Sequence, residues 1–284
     1  MLFFRLLSRL PFWALYLLAD LLFLVLYRII RYRRDVVYDN LQRAFPEKQD
    51  KEIRRISKAY YRNLSQVVVE TIKLLTAKKE LLKRRIEFHN LDIYEDYLSK
   101  GSSVFILASH MCNWEWVATG FQLYSSYKIT AVYKPLKNDL FDRLMMEIRN
   151  RFGNTPLIPK EIAVKEILRT HKEVKGYGLV ADQSPAASDA KYWTRFLGRE
   201  TAFFTGPKFL TELTGMPAIY TDMQRTGKGR YRITVSKMAD PPYDTNDNPV
   251  LERFVRKLEK SVRESPSDWL WSHKRWKHVK EPAE

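Results

Sequence analysis

The sequence predicts an α/β fold, a layered sheet flanked by helices and preceded by an N-terminal hydrophobic helix. Three observations predict it. Val104–Ala108 and Tyr177–Ala181 are unbroken apolar runs of strand length, too short to cross a membrane, as expected of strands buried on both faces. Between such runs lie segments with apolar residues three and four apart, the spacing of helices that cover a sheet. Ahead of both, Leu10–Tyr27 is apolar apart from Asp20. With 284 residues, 45% of them apolar, the chain can bury one large core, and it divides into a membrane-anchor helix with a basic flank, 1–34, and a body, 35–284.

Taken in order, Leu10–Tyr27 has Arg5 and Arg9 before it and Arg28, Arg31, Arg33 and Arg34 after it. As a helix these residues reach ~27 Å, just the thickness of a bilayer's hydrocarbon layer. The segment fits a short span, a helix lying in the interface, a signal peptide, or a helix packed wholly on the protein. An arginine cluster where a cleavage site would stand argues against the signal peptide. If the helix spans, the heavier positive charge after it puts the body in the cytoplasm.

From Pro46, the spacing of Ile53, Ile56, Tyr60, Leu64, Val67 and Val68 predicts a long amphipathic helix. Ile86–His89 reads as an opening strand and Lys128–Tyr133 as another. Asn138 should cap a helix striped with Leu140, Phe141, Leu144, Met145 and Ile148 and ending at Gly153. Ile162–His171 is helical, and Tyr177–Ala181 delivers Asp182, Gln183 and Ser184 to a sheet edge. Gly206-Pro207 opens a helix that ends at Gly215, Pro217–Met223 and Tyr231–Val235 are strands, and Pro249 starts a last helix carrying Leu251, Phe254, Val255, Leu258 and Val262. No internal repeat or low-complexity linker interrupts the pattern.

Charge narrows the partners. Forty-nine Lys and Arg against 33 acids give +16, so an anionic partner is expected: an acidic membrane surface, a phosphorylated substrate or an acidic protein. The basic residues are densest beside the apolar N-terminus, and no zinc-ligand spacing, RNP-type motif or helix-turn-helix signal points to nucleic acid. Cys112 is the only cysteine, which rules out an intrachain disulfide and is consistent with a reducing compartment. Its place two residues after His110 suggests a thiol nucleophile, but no second histidine with a partner accompanies it, and a small buried side chain is the simpler reading.

The chemistry concentrates at Ser102–Trp116, SSVFILASHMCNWEW. His110 should stand at the carboxyl end of the strand, where ligands bind in open α/β sheets, with Asn113 as N-cap of the next helix and Glu115 in its first turn. There an ionised carboxylate is favoured and could accept a hydrogen bond from one ring nitrogen of His110, leaving the other to act as a base. Such a base typically contributes ~10²- to 10⁴-fold.

HMCNWE, together with VYKPLKND, IRNRFG, ADQSP, RFLGRETAFFTGP and WLWSHKRWK in that order, resembles the bacterial lipid A biosynthesis acyltransferases, from YDNLQRAFPE to near the end of the chain. The family motif is H-x-x-x-x-D/E, commonly HxGNWE. Lys134 stands where the family usually has Arg, and Met111-Cys112 replaces its usual small residues. The resemblance implies that His110 is the base and Glu115 its orienter, and Asn113, Trp114 and Asn138 within its motifs are read as substrate-binding. Lys134 and Arg149 could hold a phosphate or belong to a solvated charged face, Asp182 and Gln183 could orient an acceptor hydroxyl or brace the neighbouring loop, and Arg199 could add a polar group to the mouth of the site. The resemblance also implies a donor thioester on acyl carrier protein, or on acyl-CoA, a glycolipid hydroxyl as acceptor, no metal or cofactor, and work at an anionic membrane surface on the cytoplasmic side of the cell inner membrane. Transfer to another lipid (a lysophospholipid, aminolipid or pigment), or a non-catalytic membrane scaffold, remain alternatives. Trp269, Trp271 and Trp276, with His273, Lys274, Arg275 and Lys277, read either as an interfacial segment or as core packing.

Overall fold

A computed structural model describes residues 1–153, 157–244, 247 and 249–280. The strands are β1 (Ile86–His89), β2 (Val104–Ala108), β3 (Ile129–Tyr133), β4 (Leu157–Pro159), β5 (Gly176–Val180), β6 (Lys191–Phe196), β7 (Arg199–Phe204), β8 (Ala218–Gly227) and β9 (Arg230–Ala239). The α-helices are α1 (Leu2–Arg9), α2 (Phe12–Leu24, continued by a π-helical turn over Val25–Ile29), α3 (Arg34–Ala44), α4 (Asp50–Lys73), α5 (Lys79–Lys83), α6 (Leu91–Ser99), α7 (Glu115–Tyr124), α8 (Asp139–Arg149), α9 (Ala163–Thr170), α10 (Gly206–Thr214) and α11 (Pro249–Glu264).

Seven strands form one sheet in the order β1-β9-β8-β2-β5-β3-β4, and β6 and β7 make a separate hairpin. Every neighbouring pair in the large sheet is parallel except β8 and β9, which are joined antiparallel. The predicted α/β architecture is therefore the observed one. The sheet's centre is β2, all five of whose residues are buried, and its side chains divide the core by simple alternation. Phe105 and Leu107 point into one hydrophobic cluster with Leu210 of α10, Phe254 and Leu258 of α11, and Trp269 and Trp271. Val104, Ile106 and Ala108 point into the other, with Tyr94 of α6, Trp116 and Phe121 of α7 and Leu15 of α2. α7 presses close to the sheet at Gly120, where an added Cβ would stand 2.6 Å from the Ile233 side chain.

Three local expectations change. Asn138 does cap α8, accepting from the backbone N–H groups of Leu140 and Phe141, but the helix ends at Arg149 and its stripe splits. Leu144 and Ile148 are buried while Leu140 and Phe141 face outward. Asn113 does not cap α7: it is fully buried, its side chain turned away, and Trp114 holds the N-cap position without a side-chain hydrogen bond. Finally, α2 is no free-standing appendage, because Phe12, Leu15, Tyr16, Ala19 and Phe23 form one face buried against the body.

Candidate functional site

β2 ends at Ala108, and the chain turns through Ser109–Trp114 before α7 begins. The turn is tight enough to hold Cys112 at a positive φ of 50°, and it is gripped from outside the sheet. The Cys112 N–H donates to the Asp268 carbonyl at 2.8 Å, and Met111 forms an isolated antiparallel bridge with Trp269. The residues after α11 thus act as an extra edge for the turn. Cys112 itself is buried, donates its thiol to the Met223 carbonyl at 3.2 Å, and has its pKa pushed well up by burial, which suits a packed side chain and not a thiolate.

His110 emerges half-shielded at the carboxyl end of β2, and β5, paired to β2, brings Asp182 beside it. The ring Nδ1 lies 2.6 Å from Asp182 Oδ1, the His110 backbone N–H donates to Oδ2 at 3.0 Å, and the Trp269 indole N–H donates to the same Oδ2 at 2.7 Å. Burial by itself would raise the Asp182 pKa. The charge and hydrogen bonds of His110, with that of Trp269, outweigh it and hold the carboxyl down to about 2. An ionised Asp182 accepts a hydrogen bond from Nδ1–H and leaves the Nε2 lone pair for an acceptor role. Gln183 supports that tautomer, since its amide nitrogen is 3.2 Å from Nε2.

Glu115 does not reach the His110 ring, which corrects the expected pairing. Its carboxylate is taken by Arg149 in a two-pronged ion pair, Nε to Oε2 at 2.9 Å and Nη2 to Oε1 at 2.8 Å, and by the Trp114 indole N–H at 3.2 Å. Burial works to lower the Arg149 pKa, but the bonds from Glu115 override it and the net shift is upward. The link to the His110 ring is indirect: Trp114, held by Glu115, packs edge-on against the imidazole with centroids 5.1 Å apart.

Behind the turn sits a second buried carboxylate, Glu70 of α4. It accepts from Asn113 Nδ2 at 2.9 Å, Tyr231 Oη at 2.6 Å and Tyr16 Oη of α2 at 3.1 Å. Burial raises its pKa, against the opposing effects of Arg225 and these donors.

The residues named from sequence therefore sort into two groups. His110, Trp114, Glu115, Arg149, Asp182 and Gln183 come together, with Asn113 forming the wall behind them. Lys134 and Asn138 lie on the exposed loop between β3 and α8, where the Asn138 side chain is spent on capping. Arg199 opens β7, with its guanidinium stacked 4.3 Å over the Trp276 ring. Sequence reasoning missed the contribution of the segment after α11. Trp269 completes the Asp182 cage, and His273 Nε2 accepts the Ser184 backbone N–H at 3.0 Å. Ser184 Oγ donates to the Arg275 carbonyl, and buried Arg275 feels Asp182, its pKa lowered by burial to about 9. The clue was available: a run of tryptophans mixed with His, Lys and Arg is unusual for a solvated tail.

A cleft of about 420 Å³ opens beside Gln183 and Trp114. Leu26, Leu64, Val68 and Leu270 give it an apolar floor, and Arg33 and His273 flank it.

A histidine held by a buried, ionised aspartate at the carboxyl edge of a mostly parallel sheet, opening on an apolar cleft, is the arrangement of an α/β enzyme site. The model of the bacterial lipid A biosynthesis acyltransferases matches residues 1–278, and the chain belongs to that family. It is 24% identical over 274 residues to the lipid A biosynthesis lauroyltransferase of Escherichia coli K12, covering 95% of this chain and 87% of that protein. It is 20% identical over 249 residues to the palmitoleoyltransferase of the same strain (87% and 80% covered), and 22% identical over 238 residues to a lipid A biosynthesis acyltransferase of Haemophilus influenzae (82% and 72%).

Proposed function

We propose that the protein is a membrane-associated O-acyltransferase that moves a fatty acyl chain from an acyl carrier protein thioester to a hydroxyl of a lipid A precursor, at the cytoplasmic face of the inner membrane. The observation that carries this reading is the 2.6 Å contact of His110 Nδ1 with a buried carboxylate, beside a cleft with an apolar floor. His110 Nε2 takes the proton of the acceptor hydroxyl as its oxygen attacks the thioester carbonyl. The new C–O bond forms, the C–S bond breaks, and the imidazolium returns the proton to the departing thiolate. Asp182 orients the ring and stabilises the imidazolium, and Glu115 fixes Trp114 against the ring while neutralising Arg149. No covalent enzyme intermediate is needed. A net charge of +16 favours an acidic carrier as donor, and the apolar floor fits the acyl chain.

The test is turnover by purified protein with acyl carrier protein or acyl-CoA as donor and a lipid A precursor as acceptor. Transfer should be faster from the carrier and should weaken with rising salt. His110→Ala should cut it by ~10²-fold or more at unchanged melting temperature. A well-folded His110→Ala protein with near-normal transfer would rule out the base.

A further inference from the structure

The anchor helix is long and apolar enough to cross a bilayer, since Phe12–Ile29 counts 18 residues. Its packing forbids that course. α2 runs antiparallel along α4, tied at three levels. Lys73 Nζ donates to the carbonyls of Ser8 and Leu10, Tyr16 shares Glu70, and Arg62 lies over the Phe23 ring at 5.1 Å. A helix threaded through the membrane would either abandon these partners, leaving Glu70 short of a donor and Phe12, Leu15, Ala19 and Phe23 bare, or drag in α4 with its exposed Arg54, Arg55 and Arg62.

The opposite face of α2 is apolar and open. Trp13, Leu17, Leu21 and Leu24 are 69%, 63%, 58% and 49% exposed. At 3.6 residues per turn, Asp20 falls on the flank between the packed and open faces, 4.0 Å from Lys228 of the body, and not among those side chains. The open face continues sideways. α1 adds exposed Leu2, Phe3 and Leu6, and the Phe4 ring meets Phe141 at 6.0 Å, joining α1 to the first turn of α8, which presents Leu140 and Phe141, and to the loop before it, which presents Leu136. Cations rim this surface: Arg9 and Arg28 at the two ends of the helix, and Lys134 and Lys137 on the loop. Exposed Tyr32 and Trp13 are the aromatics favoured at headgroup depth.

We infer that α2 lies in the plane of the membrane, sunk into one anionic leaflet, and that α1, the loop between β3 and α8 and the first turn of α8 sit in the same leaflet as a second footing. This deepens the membrane-associated reading above and rests on it. The active-site cleft shares its wall with this footing through Leu26, Tyr32 and Arg33, so it opens beside the headgroups, where both a lipid acceptor and a water-borne donor can meet.

Single spin labels on the full-length protein test the inference, because Cys112 is buried and leaves the introduced thiols as targets. Labels at Trp13→Cys, Leu17→Cys, Leu21→Cys and Leu24→Cys, in vesicles of phosphatidylethanolamine with phosphatidylglycerol, should report one shared depth, ~5–10 Å below the headgroups, by collision with oxygen against a water-soluble nickel chelate. A depth that climbs to a maximum mid-helix and falls again, or reaction of Leu2→Cys with an impermeant maleimide from the far side, would overturn the in-plane course while sparing membrane association. Water exposure at every labelled position would overturn both. The double variant Leu140→Ser, Phe141→Ser should bind the same vesicles ~10-fold more weakly at an unchanged melting temperature; unaltered binding removes the start of α8 from the footing.

Discussion

Two carboxylates flank the turn after β2, one in front and one behind, and both are buried and accept three hydrogen bonds. Asp182 is held down to about 2, whereas Glu70 is pushed up from its usual value. Burial is the largest influence on each, and the outcome depends on the donors. Asp182 faces an imidazole that can become a full cation, plus an indole and a backbone amide. Glu70 faces two phenols and an amide, all neutral, with Arg225 engaged by Asp268 at 3.0 Å. With equal numbers of hydrogen bonds, the difference lies in whether a partner able to carry the opposite charge bonds the carboxylate directly: His110 does so at Asp182, whereas Arg225 lowers the Glu70 value but bonds Asp268 and Tyr231. The front carboxylate suits a reaction in which the histidine gains a proton. The rear one suits holding Asn113, and with it the shape of the turn.

The comparison breaks most sharply at Asp182→Asn. This variant should cut kcat by ~10²- to 10⁴-fold, with a much smaller effect on KM, because the amide no longer holds Nδ1–H or steadies the imidazolium. Combined with His110→Ala it should be little worse than the single histidine variant, since the two act as a unit. Steady-state kinetics on folded protein decides this, and near-wild-type turnover of Asp182→Asn would transfer the orienting role elsewhere. Glu115→Gln should cost less, ~10-fold or somewhat more, because its carboxylate reaches the base only through Trp114; a loss matching that of Asp182→Asn would mean Glu115 touches the ring during turnover.

Glu70→Gln should show the opposite profile, a loss of stability of about 1–3 kcal/mol from one acceptor oxygen replaced by a donor, with a smaller change in turnover. Urea unfolding set beside kinetics separates the two, and a variant as stable as the parent but inactive would refute the division. The smallest effect sharpens the same contrast. His273 has its pKa lowered to about 4, first by burial and then by Arg275, from an ordinary 6.5. A folded value below the unfolded one makes stability independent of this group above pH ~6.5 and lost as pH falls from ~6.5 towards ~4. The full shift corresponds to about 3 kcal/mol, reduced to about 1–2 by partial exposure. His273→Gln should flatten that slope when unfolding free energies at pH 7 and pH 5 are compared.

Much of this was legible in the residues. Strand β2 and the run that became β5 announce themselves because nothing polar interrupts them, and their shared edge predicted that Asp182 would come near His110. The hairpin of β6 and β7 was not legible. Its strands mix Lys, Thr, Arg and Glu with aromatics, and its two-residue turn puts Leu197 at φ 50° beside Gly198 at 76°, so a leucine occupies a position usually marked by Asn or Asp. The wrong carboxylate was given to His110 for a related reason. Local spacing favoured Glu115, five residues on, but Arg149, 34 residues further along, claims it, and Asp182 is secured by an indole 87 residues beyond it. Competition among long-range partners has no periodicity to read.

The Trp269 contact has a consequence for biogenesis. Chains leave the ribosome from the N-terminus, so the N-terminal helix, His110 and then Asp182 appear well before the indole and His273 that pack around them. The turn after β2 gains its outer edge, and Asp182 its third donor, only when the segment after α11 folds back. A nascent chain therefore presents its N-terminal helix before the site is assembled, and termination between Asp182 and Trp269 leaves a protein that carries that helix, His110 and Asp182 but lacks the indole that completes the cage.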